Sequence, residues 1–151
     1  MKCFGDQRIS AGERCLVVDL GGCPGMDSTF MGTLAGMAAR LSAQDGGVLQ
    51  VADTSSRNRR SLEDLGLDFL LEIDPPAAIW RGELDLVRER LKPPERGGPV
   101  NPIQRAVHVL EAHQVLAETN DKNSKTFSNV VALLEEEVLE KQRLADAREI
   151  P

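Results

Sequence analysis

Between Cys15 and Ala52 the hydrophobic pattern changes period twice, and no other feature restricts what the chain can fold into so strongly. The run from Cys15 to Leu20 is short, valine-rich and almost continuously apolar, as in a strand covered by neighbours. A loop of Gly21, Gly22, Cys23, Pro24 and Gly25 follows. Phe30, Leu34, Met37 and Leu41 then recur at helical spacing behind Asp27, whose short carboxylate side chain suits a helix start. Gly46 and Gly47 stop that helix, and Val48 to Ala52 reads as a second strand. Strand, helix, strand requires a crossover, so the two strands are expected to run parallel in an α/β fold.

The flanking segments are read the same way. Met1 to Gly12 has no apolar period and is expected to be a tail ending in a turn. Thr54 to Ser56 can cap a helix carrying Arg57, Arg59, Arg60, Leu62 and Leu65, which Gly66 ends. Leu67 to Ile73 is expected to be a third strand. After Pro75 and Pro76, the residues Ile79, Trp80, Leu84, Val87 and Leu91 have helical spacing, with Trp80 expected against the body of the domain. Residues 92–102 hold four prolines and two glycines and mark a linker between a domain at 1–91 and a helical hairpin at 103–151. In the hairpin, Ile103, Val107, Leu110 and Leu116 line one helix, and Phe127, Val130, Val131, Leu134, Val138 and Leu139 the other, across a polar turn at Thr119 to Ser124. Two helices alone bury too little, so they must dock on the α/β body or on a second copy of the chain. Glu135, Glu136 and Glu137 read as a solvated face, or more sharply as an acidic docking surface.

Composition excludes several function classes. Eighteen basic against 24 acidic residues give a net charge of −6, which offers no footprint for direct nucleic-acid binding or an anionic membrane. No apolar run approaches the roughly 20 residues of a membrane span, and the first residues lack a secretory core, so a cytoplasmic protein is expected. Cys3, Cys15 and Cys23 form no Cys-x-x-Cys and read as reduced thiols rather than disulfide or zinc ligands. The segment Gly21 to Ser28 lacks the lysine and second glycine of a phosphate-cradling loop. His108 and His113 are five apart, the wrong spacing for two ligands on one helix face, and read as packing or surface residues.

The stretch Val17-Val18-Asp19-Leu20, followed by Met26-Asp27-Ser28-Thr29-Phe30-Met31-Gly32 and Leu34, resembles the signature of the STAS domain, the family of anti-sigma-factor antagonists. The likeness extends more weakly from Phe4 to Asp74, and the second half of the chain has no counterpart in a minimal STAS domain. It implies a sheet with helices on one side, extended here by the helical hairpin. The family's opening strands and first helix have no counterpart before Cys15; the favoured expectation is a start codon assigned too late, the alternative a natural variant that completes its sheet differently. The family's phosphoacceptor, the hydroxyl directly after the aspartate, corresponds to Ser28, with Thr29 the lesser candidate. Asp27, Ser28, Thr29, Phe30 and Met31 would then form the partner surface, although Phe30 stands where the family usually has glycine. The resemblance implies a non-enzymatic switch with no cofactor or metal of its own. Its partner would be an anti-sigma factor with a serine-kinase fold that supplies ATP, and Arg57, Arg59 and Arg60 could pair with a phosphoryl group. Two other classes stay open. One is a scaffold subunit, self-associating through the C-terminal helices and never modified. The other is a small α/β enzyme using Cys23 or Asp19 at the carboxyl ends of the strands.

Overall fold

The computed structural model describes residues 1–92, 98 and 100–149. Three strands, β1 (Cys15–Asp19), β2 (Val48–Ala52) and β3 (Glu72–Ile73), form one parallel sheet in that order. Helix α2 (Ser28–Ser42) links the first pair and α3 (Ser56–Asp64) the second, so the chain is α/β. Cys15 aligns with Val48 and Asp19 with Ala52, whereas β3 offers partners only to Gln50 and Val51. Alternation along the strands separates the two faces of the sheet. Leu49 and Val51 are fully buried, and Leu16 and Val18 pack against the same core, while Cys15, Val17 and Asp19 point to the open side.

Leu34, Met37 and Leu41 of α2 lie over the covered face together with Leu62 of α3, and all are essentially inaccessible. The expected third strand over Leu67 to Ile73 is mostly not a strand. Gly66 adopts φ 70°, a left-handed stop that turns the chain inward, and Leu67–Phe69 forms a short 3-10 turn. The Leu71 amide donates to the Leu67 carbonyl, so both leucines enter the core from one helical turn and two residues are left to pair. The expected N-terminal tail is also corrected: Lys2–Ser10 is a helix, α1. It carries no apolar stripe to announce it. Tertiary contacts hold it instead: Ile9 is buried, Asp6 pairs with Arg40, and Lys2 lies 3.2 Å from Glu111.

The segment after β3 divides into a 3-10 turn at Ile79–Gly82 and a short helix α4 (Leu84–Arg90), neither with a buried residue. Trp80 reaches the open face of the sheet, where its indole N–H donates to Gln50 Oε1 at 2.7 Å. Of the linker expected at 92–102, residues 93–97 and 99 lie outside the described residues, as do 150 and 151 at the end of the expected hairpin. Helix α5 (Pro102–Thr119) begins with Asn101 accepting from the Ile103 amide and proline in the first turn. The turn expected over Thr119 to Ser124 shrinks to Asn120, because its Oδ1 caps the next helix at the Asn123 amide. The side-chain amides of Asn120 and Asn123 both donate to the Leu65 carbonyl, tying this turn to the end of α3. Helix α6 (Asp121–Glu149) runs back along α5 and leaves Glu135, Glu136 and Glu137 exposed. No helix among the described residues is long and apolar enough to cross a membrane.

The helical pair packs on the α/β body through α5 against α2. Leu116 is fully buried within the same core as Leu34 and Leu49. The two helices come into close contact at Gly32, where an added Cβ would stand 2.2 Å from the Ala112 carbonyl oxygen. Gly32→Ala is therefore expected to lower stability by about 1–3 kcal/mol in chemical denaturation, since backbone and not a side-chain tip must move. An unchanged midpoint would show that α5 does not cross α2 at this point.

Candidate functional site

Ser28 stands at the end of a loop fixed at several points. The Leu20 amide continues the sheet by donating to the Ala52 carbonyl, and the Cys23 amide turns back to Leu20. Asn58, fully buried on α3, donates its side-chain amide to the Cys23 carbonyl at 2.9 Å. The Cys23 thiol donates to the Gly25 carbonyl at 3.2 Å. Asp27 then takes an extended conformation and its Oδ1 accepts from the Phe30 amide at 2.7 Å, satisfying one of the free donors that open α2. Ser28 is thus the first helical residue, half-buried, one position after an exposed carboxylate.

The five residues expected to form a partner surface divide. Asp27 is exposed, and Ser28 and Thr29 are half-buried. Phe30 leans on the core, and Met31 is buried within it. Met31 is accordingly removed from the expected surface, because one helical residue beyond Phe30 brings its side chain round to the face shared with Leu34 and Ala35. Of the arginines, Arg57 is exposed beside Gly25, Arg59 is bound to Asp74 at 3.1 Å, and Arg60 is exposed.

The histidines are the residues that sequence reasoning missed. Both project from α5 onto hydroxyls of α2: His113 Nε2 lies 2.9 Å from Ser28 Oγ, and His108 Nε2 lies 2.8 Å from Thr33 Oγ1. His113 is buried, its Nδ1 is 2.8 Å from the Val109 carbonyl, and its ring meets Phe127 edge-on at 5.8 Å. Burial, and then the positive charge of Lys2, push the His108 imidazole below its usual range, which favours the neutral ring. Spacing along α5 alone carried no sign of these pairs, since their partners lie 85 and 75 residues away.

A second cluster sits at the carboxyl ends of the strands, where Asp19 ends β1 and Asp53 and Asp74 follow β2 and β3. The repeated strand-then-aspartate pattern, Val-Val-Asp, Val-Ala-Asp and Glu-Ile-Asp, is a signal that could have found it. Asp53 and Asp74 hold φ of 57° and 48°, left-handed values that aspartate tolerates better than most residues. Arg88 of α4 clamps the first two of the three, with two nitrogens of its guanidinium 2.7 Å from Asp19 and one also 2.7 Å from Asp53. Gly21 lies beneath it, where an added Cβ would stand 2.3 Å from the guanidinium and displace that side-chain end. Asp74 receives the Thr54 amide as well as Arg59.

Asp19 and Cys23 are therefore engaged elsewhere and do not converge with Ser28. The grooves along α5 and α6, and the one beside Trp80 and Arg88, are lined by other residues than these three. Nor do the described residues bring three histidine, cysteine or acidic side chains into a group able to hold a metal ion. Compared with family models, with curated proteins and with solved structures, the chain finds no match in any of the three.

Hydrogen bonding from Arg88 holds the Asp19 carboxyl below its ordinary range, outweighing the opposing effect of burial. A carboxyl depressed in the folded state adds stability above its unfolded pKa of about 3.9 and loses it as pH falls through the lower folded value. Arg88→Met should remove that contribution. Its stability measured against pH is expected to fall less steeply below about pH 4 than that of the unaltered chain. Parallel curves for the two proteins would show that the clamp adds nothing.

Proposed function

We propose that the chain is a non-enzymatic, STAS-type regulatory module of the anti-sigma-factor-antagonist kind, whose surface around Ser28 binds a protein partner in the cytoplasm. Phosphorylation of Ser28 is the release signal, with Thr29 the lesser acceptor. The partner class is an anti-sigma factor with a serine-kinase fold, which brings the nucleoside triphosphate, so the module carries no cofactor. Its output is partner switching that regulates transcription without direct contact to nucleic acid.

One observation carries this reading: a half-buried serine opens α2 directly after the exposed cap Asp27. A phosphoryl group there adds about −1.5 to −2 charge at the positive end of a helix, which tolerates it. Beside the Asp27 carboxylate, the same charge repels an acidic partner surface. Docking is thereby lost while the fold persists. The order strand, Gly-rich loop, Asp-Ser-Thr, helix, parallel strand agrees with the family resemblance of the sequence.

Mass spectrometry of the protein purified from its own host is expected to find phosphate on Ser28 and to identify the co-purifying partner. Ser28→Asp should abolish capture of that partner, and Ser28→Ala should retain it under conditions that release the unaltered chain. Equal capture by the two variants would falsify the switch.

A further inference from the structure

We infer that His113 is the base that receives the Ser28 proton, so that modification of Ser28 Oγ proceeds through a serine–histidine dyad formed between α2 and α5. The inference rests on reading Ser28 as the phosphoacceptor, and it supplies the residue that activates it.

Hydrogen-bond polarity assigns the role. The Val109 carbonyl can only accept, so the His113 nitrogen 2.8 Å from it, Nδ1, carries the hydrogen. A neutral ring then presents a lone pair at Nε2, and Ser28 Oγ, 2.9 Å away, must be the donor. Phe127 braces the ring from α6. The neighbouring pair has the opposite polarity. Thr33 Oγ1 lies 2.7 Å from the Thr29 carbonyl, which takes the hydroxyl proton, so His108 Nε2 donates to Thr33. Two hydroxyl–histidine pairs thus share one interface, and only at Ser28 does the proton point at a basic lone pair. That is the relation of nucleophile to general base, with a backbone carbonyl orienting the imidazole where a triad has a carboxylate. The chain has two histidines, and both are placed on Ser28 and Thr33, which leaves Thr29 without such a base.

In the transfer, Ser28 Oγ forms a bond to the γ-phosphorus of a nucleoside triphosphate held by the partner. The bond from that phosphorus to its bridging oxygen breaks, and the nucleoside diphosphate leaves with the electron pair. The hydroxyl proton passes to His113 Nε2, and the resulting imidazolium N–H faces the phosphoserine.

A fluorophosphonate probe tests the dyad on the full chain without any kinase: the Oγ–P bond forms, fluoride leaves and the proton goes to His113. Labelling is expected on Ser28, to be lost in Ser28→Ala and to fall about tenfold or more in His113→Gln. His108→Gln, which removes the other pair at the same interface, should label as the unaltered chain does. Independently of any substitution, long-range proton–nitrogen correlation spectra should show His113 as the Nδ1–H tautomer. No label on Ser28, labelling indifferent to His113→Gln, or an Nε2–H tautomer would each overturn the assignment. Labelling and tautomer as expected, with no phosphate on Ser28 from the native host, would uphold the base and remove the switch reading instead.

Discussion

The close crossing of α2 and α5 is the constraint on which the rest of the arrangement depends. At Gly32 the two backbones meet with no room for a methyl group, and that approach brings Leu116 into the core between the helices and the sheet. Burying a leucine contributes about 1.5–3 kcal/mol, against about 1 kcal/mol for a typical hydrogen bond. Apolar packing therefore decides that α5 docks, and the hydroxyl–imidazole pairs decide how it is oriented. His113 and His108 meet Ser28 and Thr33 only in the register that Gly32 allows. A half-buried serine at a helix start would be unremarkable alone; here its hydroxyl lies 2.9 Å from a buried imidazole nitrogen.

The strand ends are organised on a different principle. Asp19, Asp53 and Asp74 place three carboxylates at one edge of a small sheet, and two arginines, Arg88 and Arg59, offset them. The segment that delivers Arg88 buries nothing, and Trp80 and Arg81 attach it through hydrogen bonds to Gln50 and to backbone carbonyls. Such contacts at partly exposed positions are individually weak. The α4 segment is held by polar pairing, where α2 and α5 are held chiefly by packing.

Much of the fold was legible where a single period ran long enough. The apolar run of β1, the helical spacing of Phe30, Leu34, Met37 and Leu41, and the glycines before Val48 together specified a parallel pair with a crossover helix. Asp27 could be read as a cap because capping is local: the amide that donates to it is three residues away. The third strand was misread because Leu67 and Leu71 suit either alternation with neighbours or one helical turn, and the left-handed Gly66 selects the turn. Helix α1 was invisible because Gly5 and Ile9, the residues that seat it, form no stripe and depend on Met37 and Gln44 across the chain.

For the candidate site, sequence alone determined that a hydroxyl would open the helix after β1, since strand, glycine loop, cap and apolar face are all short-range patterns. It also marked each strand end with an aspartate. Only the tertiary structure decided what that hydroxyl faces. His113 lies 85 residues from Ser28, on a helix whose own periodicity identifies a buried side without naming what covers it. Periodicity records which face of an element turns inward, whereas the partner on that face and the burial of Met31 follow from how separate elements pack together.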